Sequence, residues 1–250
     1  MRHYFAVSPI LYLAIGSAVA AECTATSTPY RVPLLELYTS EGCDSCPPAD
    51  RWVSSLPSRG LGGDRLVVLA FHVDYWDRLG WPDRFAQARF TERQRAVNER
   101  NRSRVVYTPH LVLNGKDYRR GLGDDVTERV AAISQERAKV ALSLNVAPSE
   151  SQWRINAQWS GAKLGDARAW VALYENNLAT DIRAGENRNK RLQHDFVVRD
   201  LAGPFPSGGF SHVFKVDAAW KRRDLAVAAF IQEPRSGDVL QALTVASCSQ

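Results

Sequence analysis

A mixed sheet with helices on both faces, followed by a small all-β sandwich-like domain, is the fold class this sequence predicts. Two observations carry that reading. From residue 32 to about residue 137, short apolar runs alternate with longer, polar, helix-favouring segments. Beyond that point apolar residues recur at every second position, and Pro/Gly/Ser turns separate the runs. The chain then divides into a leader over 1–20, an N-terminal segment over 21–31, an α/β domain over 32–138 and a β-rich domain over 139–250.

The elements follow in order. Residues 32–39 read as the first strand and 47–56 as the first helix, stopped by Pro57. Three glycines mark a loop over 58–64. Residues 66–72 are continuously apolar, as expected of a strand covered on both faces. A polar helix is expected over 85–100, a strand over 108–114 turned by Asn114-Gly115, and a short strand over 116–119. Val126, Val130 and Ile133 have helical spacing, with Asp124 or Asp125 as the cap.

In the second half, Val140, Leu142, Leu144 and Val146 alternate strictly, as do Trp153, Ile155, Ala157 and Trp159. Ala169, Val171 and Leu173 continue the pattern, and Phe210, His212, Phe214 and Val216 repeat it. Runs over 225–232 and 239–245 complete the strands, and a polar, basic insertion over 185–194 reads as a solvated hairpin.

The leader has Arg2 in a basic start, an apolar stretch over 5–15 and Ala18-Val19-Ala20 as a small-residue cleavage signal. It is too short to span a membrane. An exported chain, periplasmic or secreted, is expected, with no membrane insertion after cleavage. The formal net charge of +5 is mild and gives no case for nucleic acid. Four cysteines in an oxidising compartment allow three pairings. Cys43 and Cys46 form the local pair. Cys23 and Cys248 remain at the two ends, where a disulfide staple between them is expected.

The chemistry concentrates at Cys43-Asp44-Ser45-Cys46, set between a strand and a helix. A thiolate at a helix N-terminus is stabilised, so Cys43 is expected to attack and Cys46 to resolve. Asp44 disfavours a neighbouring thiolate, while Ser45 offers it a hydrogen bond. A zinc half-site and a structural disulfide compete with the redox dithiol. No second Cys-x-x-Cys exists for zinc, and so short a loop stabilises less than a long one.

The order of strand, Cys-x-x-Cys and helix, together with Tyr107-Thr108-Pro109, resembles the thioredoxin fold. The resemblance implies a cis-proline at Pro109 facing Cys43, with Thr108 presenting backbone to a bound peptide. It also implies Glu36, inside the first strand, as proton acceptor for Cys46. Four blocks are more specific still: EGCDSCPPAD, AFHVDYWDRLGWPDRF, YTPHLVLNG and GENRNKRLQHDFVVR. They resemble the exported thioredoxin-like family catalogued as domain of unknown function 1223, a resemblance that supplies no substrate.

In such a fold, His72 ends a strand at the edge carrying the cysteines. It is expected to tune the thiolate, with Asp74 orienting it and Tyr75, Trp76 and Trp81 as an aromatic wall. His194, in the basic insertion, is a further candidate to lower a thiol pKa. The implied activity is thiol–disulfide exchange with thiol- or disulfide-bearing proteins or small thiols, with no dissociable cofactor. Two alternatives stand beside it. One is copper(I) handling by Cys43 and Cys46 with an imidazole from His72 or His110. The other is a binding module whose disulfide is inert.

Overall fold

Strands outnumber helices by a wide margin. The computed structural model describes residues 22–118, 126–161 and 164–246. Among these lie fourteen strands and three α-helices. The first half holds β1 (Cys23–Thr26), β2 (Leu34–Thr39), α1 (Pro47–Ser55), β3 (Val67–His72), α2 (Ala88–Arg100), β4 (His110–Leu113), β5 (Lys116–Asp117) and α3 (Val126–Ser134). The second half continues with β6 (Val140–Pro148), β7 (Gln152–Gly161), β8 (Arg168–Glu175), β9 (Leu178–Asp181) and β10 (Arg191–His194). It closes with β11 (Val197–Phe205), β12 (Gly208–Lys215), β13 (Leu225–Gln232) and β14 (Val239–Ala246). The leader, the cap at Asp124 or Asp125, and Cys248 lie outside the described residues.

The strands form three sheets: β1-β6-β7-β12, the ribbon β10-β9, and an eight-stranded sheet in the order β14-β13-β8-β11-β3-β2-β4-β5. The last of these overturns the expected fold class. A thioredoxin-like α/β domain followed by a separate sandwich would end its first sheet at β3. Instead β11 pairs in parallel with β3, with Val197 opposite Ala70. The same sheet then runs on through β8, β13 and β14. The physical reason is burial. β3 and β13 are buried at every position, and strands of that kind need cover on both faces and a neighbour at each edge.

Three apolar layers result. α2 covers one face of the large sheet through Phe90 and Val97, which pack on Leu34, Tyr38, Phe71 and Phe230. On the other face α1 and α3 cover the first-half strands through Ala49, Trp52, Val53, Val126 and Val130. The four-stranded sheet covers the rest of that face. Its Leu142, Leu144, Trp153, Ile155 and Phe214 meet Val171, Leu173, Val227 and Ala229. β6 and β7 alternate between buried and more exposed positions along most of their length, as their sequence pattern requires of strands with one dry face. Each large apolar side chain buried in these layers contributes about 2–3 kcal/mol.

Candidate functional site

β2 ends at Thr39 and a tight turn carries the chain to α1. The turn is closed by Cys43 N–H donating to the Ser40 carbonyl and by Gly42 N–H donating to Ser40 Oγ. Glycine suits position 42, because a Cβ would stand 3.1 Å from the Cβ of Trp76, a tight contact. Cys43 and Cys46 form a disulfide with their Cα atoms 5.4 Å apart. Both cysteines are fully buried, although Asp44 and Ser45 between them are exposed. Ser45 Oγ lies 3.4 Å from Cys43 Sγ.

The helix begins at Pro47, as expected. Cys46, not Cys43, is the N-cap of α1. Pro47 and Pro48 supply no N–H, and the amides of Ala49 and Asp50 both donate to the Cys46 carbonyl. The helix therefore has no free first-turn donor to offer a Cys43 thiolate.

A buried set of acids and imidazoles brackets the motif. Glu41 precedes Cys43 by two residues and Asp50 follows Cys46 by four. Between their carboxylates stands His194 of β10, with Nε2 3.5 Å from Glu41 and Nδ1 3.8 Å from Asp50. Trp81 Nε1 donates to Glu41, and Thr39 Oγ1 donates to Asp50. Burial opposes a charge on His194, but the close Asp50 and Glu41 carboxylates outweigh it. Its pKa rises from 6.5 to about 10. Burial likewise pushes the Glu41 carboxyl up, and contacts with His194, Thr180 and Trp81 together more than reverse this, leaving it below the ordinary value.

His72 ends β3 beside this set, its ring 5.0 Å from that of His194 and edge to face. Its partner is Asp83, at 2.6 Å from Nδ1. Asp83 also accepts the Glu41 and Phe85 amides. Burial raises the Asp83 carboxyl, and His72 with these donors brings it below its ordinary value. Asp74, expected to orient His72, instead accepts from Thr91 at the start of α2. The sequence signal for Asp83 was its place inside the block AFHVDYWDRLGWPDRF, and Glu41 and Asp50 are the two ends of the block EGCDSCPPAD.

Other expected residues fall elsewhere. Glu36 shares the face of Leu34 and Tyr38, against α2, whereas Leu35 and Leu37 face α1. It accepts from Arg93 Nε at 2.7 Å and from the Tyr38 hydroxyl. The sheet thus lies between Glu36 and Cys46, and the proton-acceptor role does not fit. The two histidines offered as alternatives for copper lie on opposite faces of the sheet. His72 shares the α1 face with Val68 and Ala70, while His110 shares the α2 face with Val112. His110 stacks on Tyr38, faces Gln94 of α2 and pairs with Asp117.

The Thr108–Pro109 peptide is cis. Tyr38 is opposite His110 in the β2–β4 ladder, so Pro109 stands beside the end of β2 that leads to Cys43. Trp76 links the two segments: its Nε1 donates to Thr108 Oγ1 at 2.8 Å, and its Cβ abuts Gly42. Tyr75 donates its hydroxyl to Gln94. Cys23 is not a free thiol. Its expected partner Cys248 lies outside the described residues.

The insertion over 185–194 is not simply solvated. Asn187 is fully buried, and its Nδ2 donates to the carbonyls of Glu41 and Cys43 at 2.9 and 2.8 Å. Glu186 accepts the Asp44 amide at 3.3 Å. Among the described residues no helix is long and apolar enough to cross a membrane.

No curated protein matches this chain. A crystal structure of a protein from Agrobacterium tumefaciens is similar at 28% identity, covering 90% of this chain and 98% of that one with a TM-score of 0.63. HBP35 of Porphyromonas gingivalis is similar in fold, at 12% identity, 88% and 76% coverage and a TM-score of 0.64. The model of one family matches residues 34–232, the greater part of the chain. On that match the chain belongs to the family described as protein of unknown function, DUF1223.

Proposed function

We propose that this protein is an exported thiol–disulfide oxidoreductase whose working group is the Cys43–Cys46 disulfide. One observation carries the reading: the disulfide is flanked in sequence by Glu41 and Asp50, whose carboxylates hold a protonated His194 between them. The His194 cation offsets the two carboxylates that would otherwise oppose a thiolate in the neighbouring motif, where the doubly prolyl helix start offers no donor. Thr108 and Pro109 border the turn, and His72 with Asp83 supports the ring of His194. Export rests on the leader, with Arg2, the apolar run and Ala18-Val19-Ala20.

The exchange balances as follows. A thiolate of a partner protein or small thiol attacks Cys43 Sγ, the S–S bond breaks, and Cys46 leaves as a thiolate and takes up a proton. A second partner thiolate attacks the partner sulfur of the mixed disulfide, and Cys43 leaves and is protonated. Two electrons pass to the protein and the partner becomes a disulfide; the reverse sequence reduces it.

The rival reading is an inert staple, and burial of both sulfurs is the observation in its favour. Equilibration with glutathione buffers, acid quenching and mass spectrometry separate the two. A reduction potential between about −120 and −270 mV is expected, and one below about −300 mV would make the bond a staple. Limited alkylation of the reduced protein should label Cys43 first, and Cys46→Ser should trap mixed disulfides in the exporting cell. Preferential labelling of Cys46 would reverse the two roles.

A further inference from the structure

The redox reading leaves a question of access. Exchange needs a thiolate to approach a sulfur, yet neither sulfur is open to solvent. The exposed residues between the cysteines do not uncover them. Something packed on the turn has to move, and the structure offers one segment built to do so.

The β9–β10 ribbon ends in residues 183–190, which lie over the turn that carries Cys43. In the tip, residues 185–190, every side chain is exposed except that of Asn187, which is fully buried. The two hydrogens of Asn187 Nδ2 go to the Glu41 and Cys43 carbonyls, one on each side of Gly42. Lys190 Nζ donates to Asn187 Oδ1 at 2.8 Å, so the amide is held in that orientation from outside. Glu186 adds the contact to the Asp44 amide. Gly185, at φ +70°, rests against Trp81, where a Cβ would come within 3.0 Å of the tryptophan Cβ.

These contacts differ in kind from those that hold the ribbon. β9 and β10 are zipped in register from Arg191–Asp181 to His194–Leu178. The tip is tied to the disulfide turn by side-chain hydrogen bonds alone, made by Asn187 and Glu186. A segment fixed by few contacts, on a hairpin that stays zipped, opens at low cost without global unfolding.

We infer that residues 185–190 form a lid on the Cys43–Cys46 disulfide, latched by the Asn187 amide, and that the disulfide reacts only when this latch is released. The inference rests on the redox reading for its purpose but not for its test. A partner protein would gain access by displacing Asn187 from the two carbonyls. Small thiols would wait for spontaneous opening.

The test is the rate of disulfide reduction by excess dithiothreitol under native conditions, followed by alkylation and mass spectrometry. Asn187→Ala should be reduced at least tenfold faster than the unaltered protein, and Glu186→Ala faster by a smaller factor. Circular dichroism confirms folding of both. Val227→Ala, a destabilising change in the distant layer between the sheets, controls for general loosening and should leave the rate within twofold. Should Asn187→Ala not fold, Asn187→Ser gives the same comparison. Equal rates for the unaltered and Asn187 proteins, or equal acceleration by Val227→Ala, would overturn the lid. The redox reading fails separately: a potential in the staple range would remove it while a rate difference between the variants would still stand.

Discussion

His194→Gln is expected to lower the melting temperature at pH 7 by roughly 10 °C. The histidine is buried between Glu41 and Asp50 and is charged at neutral pH. Glutamine keeps the approximate volume but removes the cation, leaving two carboxylates to share a desolvated site. Breaking a buried ion pair from one side costs about 3–5 kcal/mol. For a chain of this length each kcal/mol moves the midpoint by about 2–4 °C.

The pH dependence identifies the cause. The folded pKa of His194, about 10, lies above its ordinary 6.5. The stabilisation is therefore complete below about pH 6.5 and is lost as the pH rises through about 10. Thermal melts of both proteins across that window should converge on the alkaline side. The groups facing His194 are Glu41, Asp50 and His72, with Asp83 behind His72. Glu41 and Asp83 titrate below their ordinary values, so their contribution is lost only as the pH falls through the acid range. Melting curves that stay parallel from pH 7 to 10 would assign the stabilisation elsewhere.

Arg93→Met should be as damaging, for a reason unconnected with the disulfide. Arg93 is buried on the sheet-facing side of α2, pairs with Glu36, and places its guanidinium 5.1–5.5 Å from the rings of Phe71, Trp170 and Phe230. Burial works against its charge, but Glu36 and Tyr38 together outweigh this and raise its pKa. Methionine leaves Glu36 uncompensated inside the sheet–helix layer, at about 3–5 kcal/mol. The double variant Glu36→Met, Arg93→Met removes both charges and should recover most of the loss. Chemical denaturation of the two variants measures this. A double variant no more stable than the single one would show that the aromatic contacts, not the ion pair, carry the effect.

The sequence revealed much of the local structure and less of its assembly. β2, α1, β3 and β13 lie within the runs that predicted them, and β6, β7 and β14 extend only a residue or two beyond theirs, because burial on one or both faces imposes period two or a continuous apolar stretch. The seven consecutive apolar residues of β13, Leu225 to Ile231, carried the hint of a central strand, yet fit a sandwich strand equally well. β11 was not legible: Arg199 and Asp200 interrupt its pattern, and it is bulged between Val198 and Asp200. With β11 unseen, the two halves appeared as separate units. The same gap misplaced the site. Whether Glu36 or Asp50 faces the cysteines depends on which side of the sheet α1 covers. The buried role of Asn187 depends on a hairpin folding back over 144 residues of chain to reach the Cys43 carbonyl.

The join between β3 and β11 is narrow. Its register holds one residue pair, Val197 with Ala70, where the neighbouring β11–β8 ladder runs from Val197 to Phe205. Cohesion along this line falls to side chains: Val197 against Phe85 and Leu178, Val198 in the α2 layer, and Phe196 touching the layers on both faces. Contacts of that kind draw their strength from water and weaken on cooling, whereas a backbone ladder does not share that dependence. The large sheet therefore has a crease that is relatively softer in the cold. It begins two residues after His194, so the seam and the histidine beside the disulfide are linked by the shortest of tethers.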